Sequence, residues 1–280
     1  MPSPPRHVLI TGGSRGIGLS IAQAFAAQNY RCTLISRSEA ALQTAISSLT
    51  PPSTSAHRYI PGSISSPSFW TTTNFKESGL DKGDPESRID VLVNCAGITQ
   101  SRLFTTTPED EIRQIVDTNL TGLMLGTRFL LRNKYLHSTR RMRGEEATGF
   151  TPSVVNVASL LGVSGGYGAV AYAASKAGVL GFTRALAGEY VGHGVRVNAI
   201  VPGYVESDMT KDLNTAQLQD RIPLKRFGRP EEIAHAALFL AENHELETAS
   251  QNLCEKTDAN MFQKMRVAAE SIVRRRESAW

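Results

Sequence analysis

Short β-rich runs alternate along this chain with longer stretches of helical periodicity, and that alternation leaves few architectures open. The runs are His7–Thr11, Arg31–Ile35, His57–Ile60, Val91–Val93, Val154–Val157 and Val195–Val201. Several are apolar almost throughout, as expected of strands in a sheet covered on both faces. Helical patterns fill the intervals at Gly16–Gln28, Ala40–Leu49, Glu109–Leu131, Ala171–Val191 and Glu231–Asn243. Pro108 before Glu109, and Pro230 before Glu231 and Glu232, mark two helix starts, because acidic side chains favour the positive end of the helix dipole. Alternation of this kind predicts βαβ units and a doubly wound parallel sheet with helices on both faces. No repeat or linker divides the pattern, so one domain is expected. Polar stretches at 71–88 and 133–152 read as loops, the second a solvated insertion carrying Arg140, Arg141 and Arg143.

Composition narrows the function classes. No apolar run approaches the roughly 20 residues of a membrane-spanning helix. The net charge of +4 comes without a Lys/Arg stripe interleaved with aromatics, so no nucleic-acid partner is expected. The three cysteines, Cys32, Cys95 and Cys254, are too few and too scattered for a disulfide framework or a metal site. The first strand-like run begins at once and leaves no room for a secretory signal. A cytoplasmic or mitochondrial-matrix protein is the expectation.

The first predicted strand runs into Thr11-Gly12-Gly13-Ser14-Arg15-Gly16-Ile17-Gly18, after which a helix begins. Glycines there permit positive φ and close backbone approach, and the helix start offers free N–H groups to a pyrophosphate. Placed between strand and helix, the turn reads as a dinucleotide site in a single Rossmann-type α/β domain. The second strand ends at Ser36-Arg37, where an acidic residue would bind the ribose hydroxyls of NAD. Arg37, with Arg15, instead suits a 2′-phosphate, so NADP(H) is the expected cofactor.

Tyr172-Ala-Ala-Ser-Lys176 puts a phenol and an ammonium four residues apart on one helical face. A neighbouring cation favours phenolate, so a lowered tyrosine pKa and acid/base chemistry near neutral pH are expected. Ser159 ends the apolar run Ser153–Ser159, at the strand edge where open α/β sheets place ligands.

These motifs resemble the short-chain dehydrogenase/reductase family. The matches are TGGSRGIG at 11–18, NCAG at 94–97, Asn119 within VDTNLTG, Ser159, YAASK at 172–176 and Pro202-Gly203. Within the family the chain looks most like 3-oxoacyl-[acyl-carrier-protein] reductases and mitochondrial-type carbonyl reductases, chiefly through Pro202–Lys211 and Ile222–Glu232. The resemblance implies reduction of a ketone to a secondary alcohol, with Tyr172 giving the proton, Ser159 bonding the carbonyl oxygen and Lys176 bonding the nicotinamide ribose. It implies that Asn119 holds a helix irregularity and a water linked to Lys176. It further implies that Asn94, Ala96 and Gly97 line the adenosine side, Ser63 and Ile64 meet the adenine, and Pro202, Gly203, Val205 and Ser207 border the nicotinamide.

The likeness covers roughly Arg6 to Asn243, giving a domain at 1–244 and an atypical C-terminal segment at 245–280. Relatives end in a last apolar strand, of which Gln251–Leu253 is a remnant. Met261, Met265, Ala268 and Ile272 recur at helical spacing. Without that strand a sheet edge would lie open. The resemblance also implies a homo-oligomer, tetramer or dimer, and an acyl carrier protein as partner. Of the two basic positions that dock such carriers, Arg132 is retained and Gly188 stands at the other. A broad-range carbonyl or quinone reductase, a secondary-metabolism ketoreductase, and a non-catalytic NADP-binding variant remain as alternatives.

Overall fold

The protein is described from a computed structural model covering residues 5–52, 56–100, 102–138, 151–211, 218–220, 222–243 and 253–254. The strands are β1 (His7–Thr11), β2 (Arg31–Ser36), β3 (Arg58–Pro61), β4 (Val91–Asn94), β5 (Ser153–Val157), β6 (Arg196–Val201) and the two-residue β7 (Leu253–Cys254). They form one parallel sheet in the order β3-β2-β1-β4-β5-β6-β7. The order reverses between β1 and β4, and at such a switch point the loops leaving the two strand ends diverge and open a crevice.

The helices are α1 (Gly16–Ala27), α2 (Glu39–Ser47), α3 (Thr72–Glu77), α4 (Glu109–Val116), α5 (Gly122–Arg132), α6 (Leu161–Ser164), α7 (Val170–Tyr190) and α8 (Pro230–Glu242). Strand alternation divides the core between the two faces of the sheet. Val8 and Ile10 of β1 pack with Ile21, Phe25 and Leu240 of α1 and α8. Leu9, from the opposite face, packs with Phe75, Phe129 and Ala187 of α3, α5 and α7. Each fully buried side chain of this size contributes about 1.5–3 kcal/mol. Arg196, buried at the start of β6, closes the end of α8 by donating to the Leu240 and Ala241 carbonyls at 2.6 Å each, where a cation also suits the helix dipole.

Two expectations need correction. The stretch at 71–88 is not all loop: Thr71 caps α3 by accepting from the Asn74 N–H, and buried Phe75 anchors the turn among Phe69, Trp70, Phe129 and Tyr135. The helix expected over Glu109–Leu131 is two helices joined by a π-turn, Asp117–Thr121. Leu253 and Cys254 pair with Ile200 and Val201, overlapping the expected strand remnant at Leu253. The remainder of 245–280 and the arginines at 140, 141 and 143 lie outside the described residues. Among the described residues no helix is long and apolar enough to cross a membrane.

Candidate active site

The crevice at the switch point is a cleft of about 470 Å³. Its floor is the glycine-rich turn. Gly12 and Gly16 have φ of 72° and 52°, the region that glycine enters at little cost. A Cβ on Gly12 would come within 2.7 Å of the Ala96 Cα, and one on Gly18 within 2.2 Å of the Gly12 carbonyl oxygen. Glycine therefore lets the loops after β1 and β4 touch and seats α1 against its own turn. The start of α1 has no side-chain cap and no acid in its first turn, so its N–H groups and dipole are available to an anion. Those features fit a dinucleotide pyrophosphate.

Gly12, Ser14, Arg15, Gly16, Ile17, Gly18, Arg37, Ser63, Ile64, Ala96, Gly97, Pro202, Gly203, Val205 and Ser207 all line this one cleft, together with Ser159, Tyr172 and Lys176. A wider hollow of about 750 Å³, beside Thr72, Lys76, Asp81 and Asn133, shares no residue with it. Exposed Arg37 makes no ion pair among the described residues, whereas Arg15 reaches Asp208 at 3.3 Å across the cleft mouth.

Tyr172, Ser159 and Lys176 meet on the wall fed by β5 and α7. The Ser159 hydroxyl stands next to the Tyr172 phenol and accepts from the Leu161 N–H at 3.2 Å. The Lys176 ammonium donates to the Val157 carbonyl at 2.7 Å and lies 5.9 Å from the centre of the Tyr172 ring. Burial pushes the tyrosine pKa up, and only partly does the Ser159 hydrogen bond oppose it. The expected lowering by the lysine is thus not what the site shows. The same burial brings Lys176 down to about 8, so both groups drift toward their neutral forms. A protonated phenol beside a hydroxyl donor is the arrangement that can protonate a developing alkoxide.

Asn119 sits behind this wall, in the π-turn. Its side chain accepts from the Ile98 N–H at 2.8 Å and donates to the Ile98 carbonyl at 2.9 Å and to Ser175 Oγ at 3.1 Å. Asn94 does not border the cleft. Its amide is buried and donates to Asn156 Oδ1 at 2.9 Å and Thr127 Oγ1 at 3.1 Å, while Asn156 donates onward to Thr183. This ladder ties β4 and β5 to α5 and α7, so the adenosine role expected of Asn94 is corrected to a core one.

Several cleft residues carried no sequence signal. Ser36 accepts from the Ser14 hydroxyl at 3.0 Å. Thr210 donates to the Val205 carbonyl at 2.7 Å and receives the Ser207 N–H at 3.1 Å, shaping the segment after β6. That segment is pinned to Gly228 by paired backbone bonds of 2.8 Å. Cys95 lines the cleft, and burial pushes its thiol up to about 11. Only NCAG at 94–97 hinted at it.

Comparison with known proteins agrees with the geometry. A family model described as short chain dehydrogenase matches residues 6–218. Carbonyl reductase family member 4 of Xenopus laevis is 35% identical over 234 residues, 84% of this chain and 90% of that protein. The 3-oxoacyl-[acyl-carrier-protein] reductase of Chlamydia pneumoniae is 35% identical over 245 residues, covering 84% and 89%. The human protein of the same description is 36% identical over 234 residues, covering 84% and 90%. Among solved structures, a short-chain dehydrogenase/reductase described as glucose/ribitol dehydrogenase from Brucella melitensis superimposes with a TM-score of 0.72 at 28% identity, covering 85% and 89%.

Proposed function

The chain belongs to the short chain dehydrogenase family, an oxidoreductase family that binds a nicotinamide cofactor, and on that premise we propose that it is an NADPH-dependent ketoreductase acting on a 3-oxoacyl thioester carried by an acyl carrier protein. One observation carries the reading: the Tyr172 phenol and Ser159 hydroxyl stand together on the wall of the cleft that the glycine-rich turn floors. Gly12, Gly16, Gly18 and the open start of α1 hold the pyrophosphate. Ser14, Arg15 and Arg37 hold a 2′-phosphate by charge-assisted bonds. Ser63, Ile64, Ala96 and Gly97 flank the adenosine, and Pro202, Gly203, Val205 and Ser207 border the nicotinamide.

When bound, the nicotinamide supplies the hydride that adds to the ketone carbon. Tyr172 delivers its phenolic proton to the carbonyl oxygen, and Ser159 donates a hydrogen bond to that oxygen as charge develops on it. Lys176 bonds the ribose and stabilises the phenolate left behind. Asn119 secures the loop against which Lys176 packs. The subunits form a homo-oligomer through the faces of α4–α5 and α7.

The relatives named 3-oxoacyl-[acyl-carrier-protein] reductase support this substrate. Exposed Leu103, Phe104, Val163, Tyr167 and Met209, on segments that leave β4, β5 and β6, favour as second reading a carbonyl reductase of broad range. NADPH oxidation with acetoacetyl thioester, with Tyr172→Phe as control, tests both. Turnover that the variant abolishes is the expected result. Reduction of simple diketones without reduction of the thioester would favour the second reading, and no ketone reduction by folded protein would sink both.

A further inference from the structure

The first turn of α7 carries Tyr172 and has no cap of its own. The residue preceding the helix, Ala169, offers no side-chain acceptor, where serine, threonine or aspartate would ordinarily satisfy the second or third N–H. The missing acceptor comes from a different loop. Gln100, 7% exposed, presents its Oε1 to the Ala171 N–H at 2.8 Å. Its Nε2 donates to the Arg102 carbonyl at 2.7 Å and to Thr107 Oγ1 at 3.2 Å. The amide orientation is fixed chemically, since a backbone N–H can only donate and a carbonyl can only accept.

The peptide on the other side of Tyr172 is tied to the same loop. Ser175 Oγ donates to the Tyr172 carbonyl at 2.7 Å and receives Asn119 Nδ2 at 3.1 Å. Asn119 in turn is bonded twice to the backbone of Ile98. The loop at 98–100 therefore grips the helix immediately before Tyr172 through Gln100 and immediately after it through Ser175 and Asn119. Tyr172 sits between two fixed points on one short segment.

We propose that Gln100 is a positioning residue for Tyr172, capping α7 from the loop after β4 and so holding the phenol beside Ser159. The assignment rests on the ketoreductase reading for its kinetic consequence but not for its geometric one. Gln100 touches neither cofactor nor reacting atoms; it acts through the Ala171 peptide.

Two variants and two measurements test it. Gln100→Leu keeps the bulk and removes both hydrogen-bonding functions, whereas Gln100→Glu keeps an acceptor for the Ala171 N–H. In the free protein labelled with fluorotyrosine, the Tyr172 resonance is identified by its loss in Tyr172→Phe. Gln100→Leu should move or broaden that resonance and leave those of the other six tyrosines in place. In turnover, Gln100→Leu should lower kcat about tenfold or more, the scale of a misplaced catalytic group, with KM for NADPH unchanged. Gln100→Glu keeps the acceptor for Ala171 but turns a second acceptor toward the Arg102 carbonyl. It should therefore recover part of both effects, and more of them in acid, where a protonated carboxyl can donate. An unmoved Tyr172 resonance, an unchanged kcat in Gln100→Leu, or equal damage by both variants at a pH where the Glu carboxyl is protonated would overturn the proposal. A parent protein that reduces no ketone would refute the ketoreductase reading, while the fluorine spectrum would still decide whether Gln100 holds Tyr172.

Discussion

Replacing Lys176 by methionine should make the free protein more stable near neutral pH. Lys176 is 4% exposed, and burial holds its pKa at about 8 against an ordinary 10.5. At roughly 1.4 kcal/mol per tenfold in acidity, that depression costs the folded state about 3 kcal/mol while the lysine is charged. The sign follows from proton counting. Between about 8 and 10.5 the unfolded chain binds more protons than the folded one, so the parent gains stability as pH rises through that window. Below it the penalty is present in full; above it the penalty is gone. Methionine removes the penalty but leaves the Val157 carbonyl without its 2.7 Å donor, a loss of about 1 kcal/mol. The net gain is about 2 kcal/mol, a rise in Tm of about 4–8 °C for a protein of this size. Thermal unfolding of both proteins without cofactor, across neutral to alkaline pH, reads the effect. The Met variant should lead at neutral pH, and the lead should shrink and then reverse as the parent lysine discharges. A Met variant that is less stable at neutral pH, or a difference that does not change with pH, would refute the reasoning.

Two further outcomes follow from the cleft and its border. Arg37→Ala should raise KM for NADPH about tenfold or more, the worth of a charge-assisted bond to the 2′-phosphate, and leave kinetics with NADH unchanged; equal losses with both cofactors would remove Arg37 from 2′-phosphate recognition. Glu232 accepts from both Arg226 Nη atoms at 2.6 and 2.9 Å and from the Arg229 N–H at 2.6 Å, and Arg226 brings its carboxyl down to about 2. That stability is present above the ordinary carboxylate range near 4.5 and is lost as pH falls toward 2, so Glu232→Gln should be less stable by about 1 kcal/mol at neutral pH, with the deficit vanishing in acid; a deficit unaffected by acid in denaturation curves would refute the ion-pair account.

Strand interiors were legible because buried parallel strands leave apolar runs, and β1 was readable to both ends. Its register with β2 and β4 was not, since period-two alternation disappears when both faces are buried. The π-turn at Asp117–Thr121 left no mark in the apolar spacing, and only the family resemblance at Asn119 pointed to an irregularity there. The α3 cap was within reach: Thr71 stands three residues before Asn74, with Phe75 as the apolar anchor. Asn94 could have been directed correctly too. It shares strand parity with Leu92, whose side chain packs on the face carrying α5. The tie between Gln100 and Ala171 spans 71 residues, and no local pattern announces a cap supplied from another loop.

The acid/base expectation failed in sign for a reason that also explains how the site would work. Proximity of a cation to a phenol is a statement about spacing, and spacing was readable; desolvation depends on what closes over the pair, and that was not. Burial acts on both groups at once, raising Tyr172 and lowering Lys176. In water an ammonium four residues away would pull a tyrosine toward phenolate, but here the ammonium is engaged by Val157 and lies 5.9 Å from the ring centre. The site therefore keeps its proton on the phenol, the form that the proposed reduction needs. Near neutral pH most of Lys176 is still charged, since its pKa is about 8. On the proposed mechanism, a phenolate left when Tyr172 gives up its proton would face that cation in a medium of low dielectric, where attraction is stronger than in water. The pairing that spacing alone suggested for the ground state is thus available where it lowers a barrier, after proton transfer has begun.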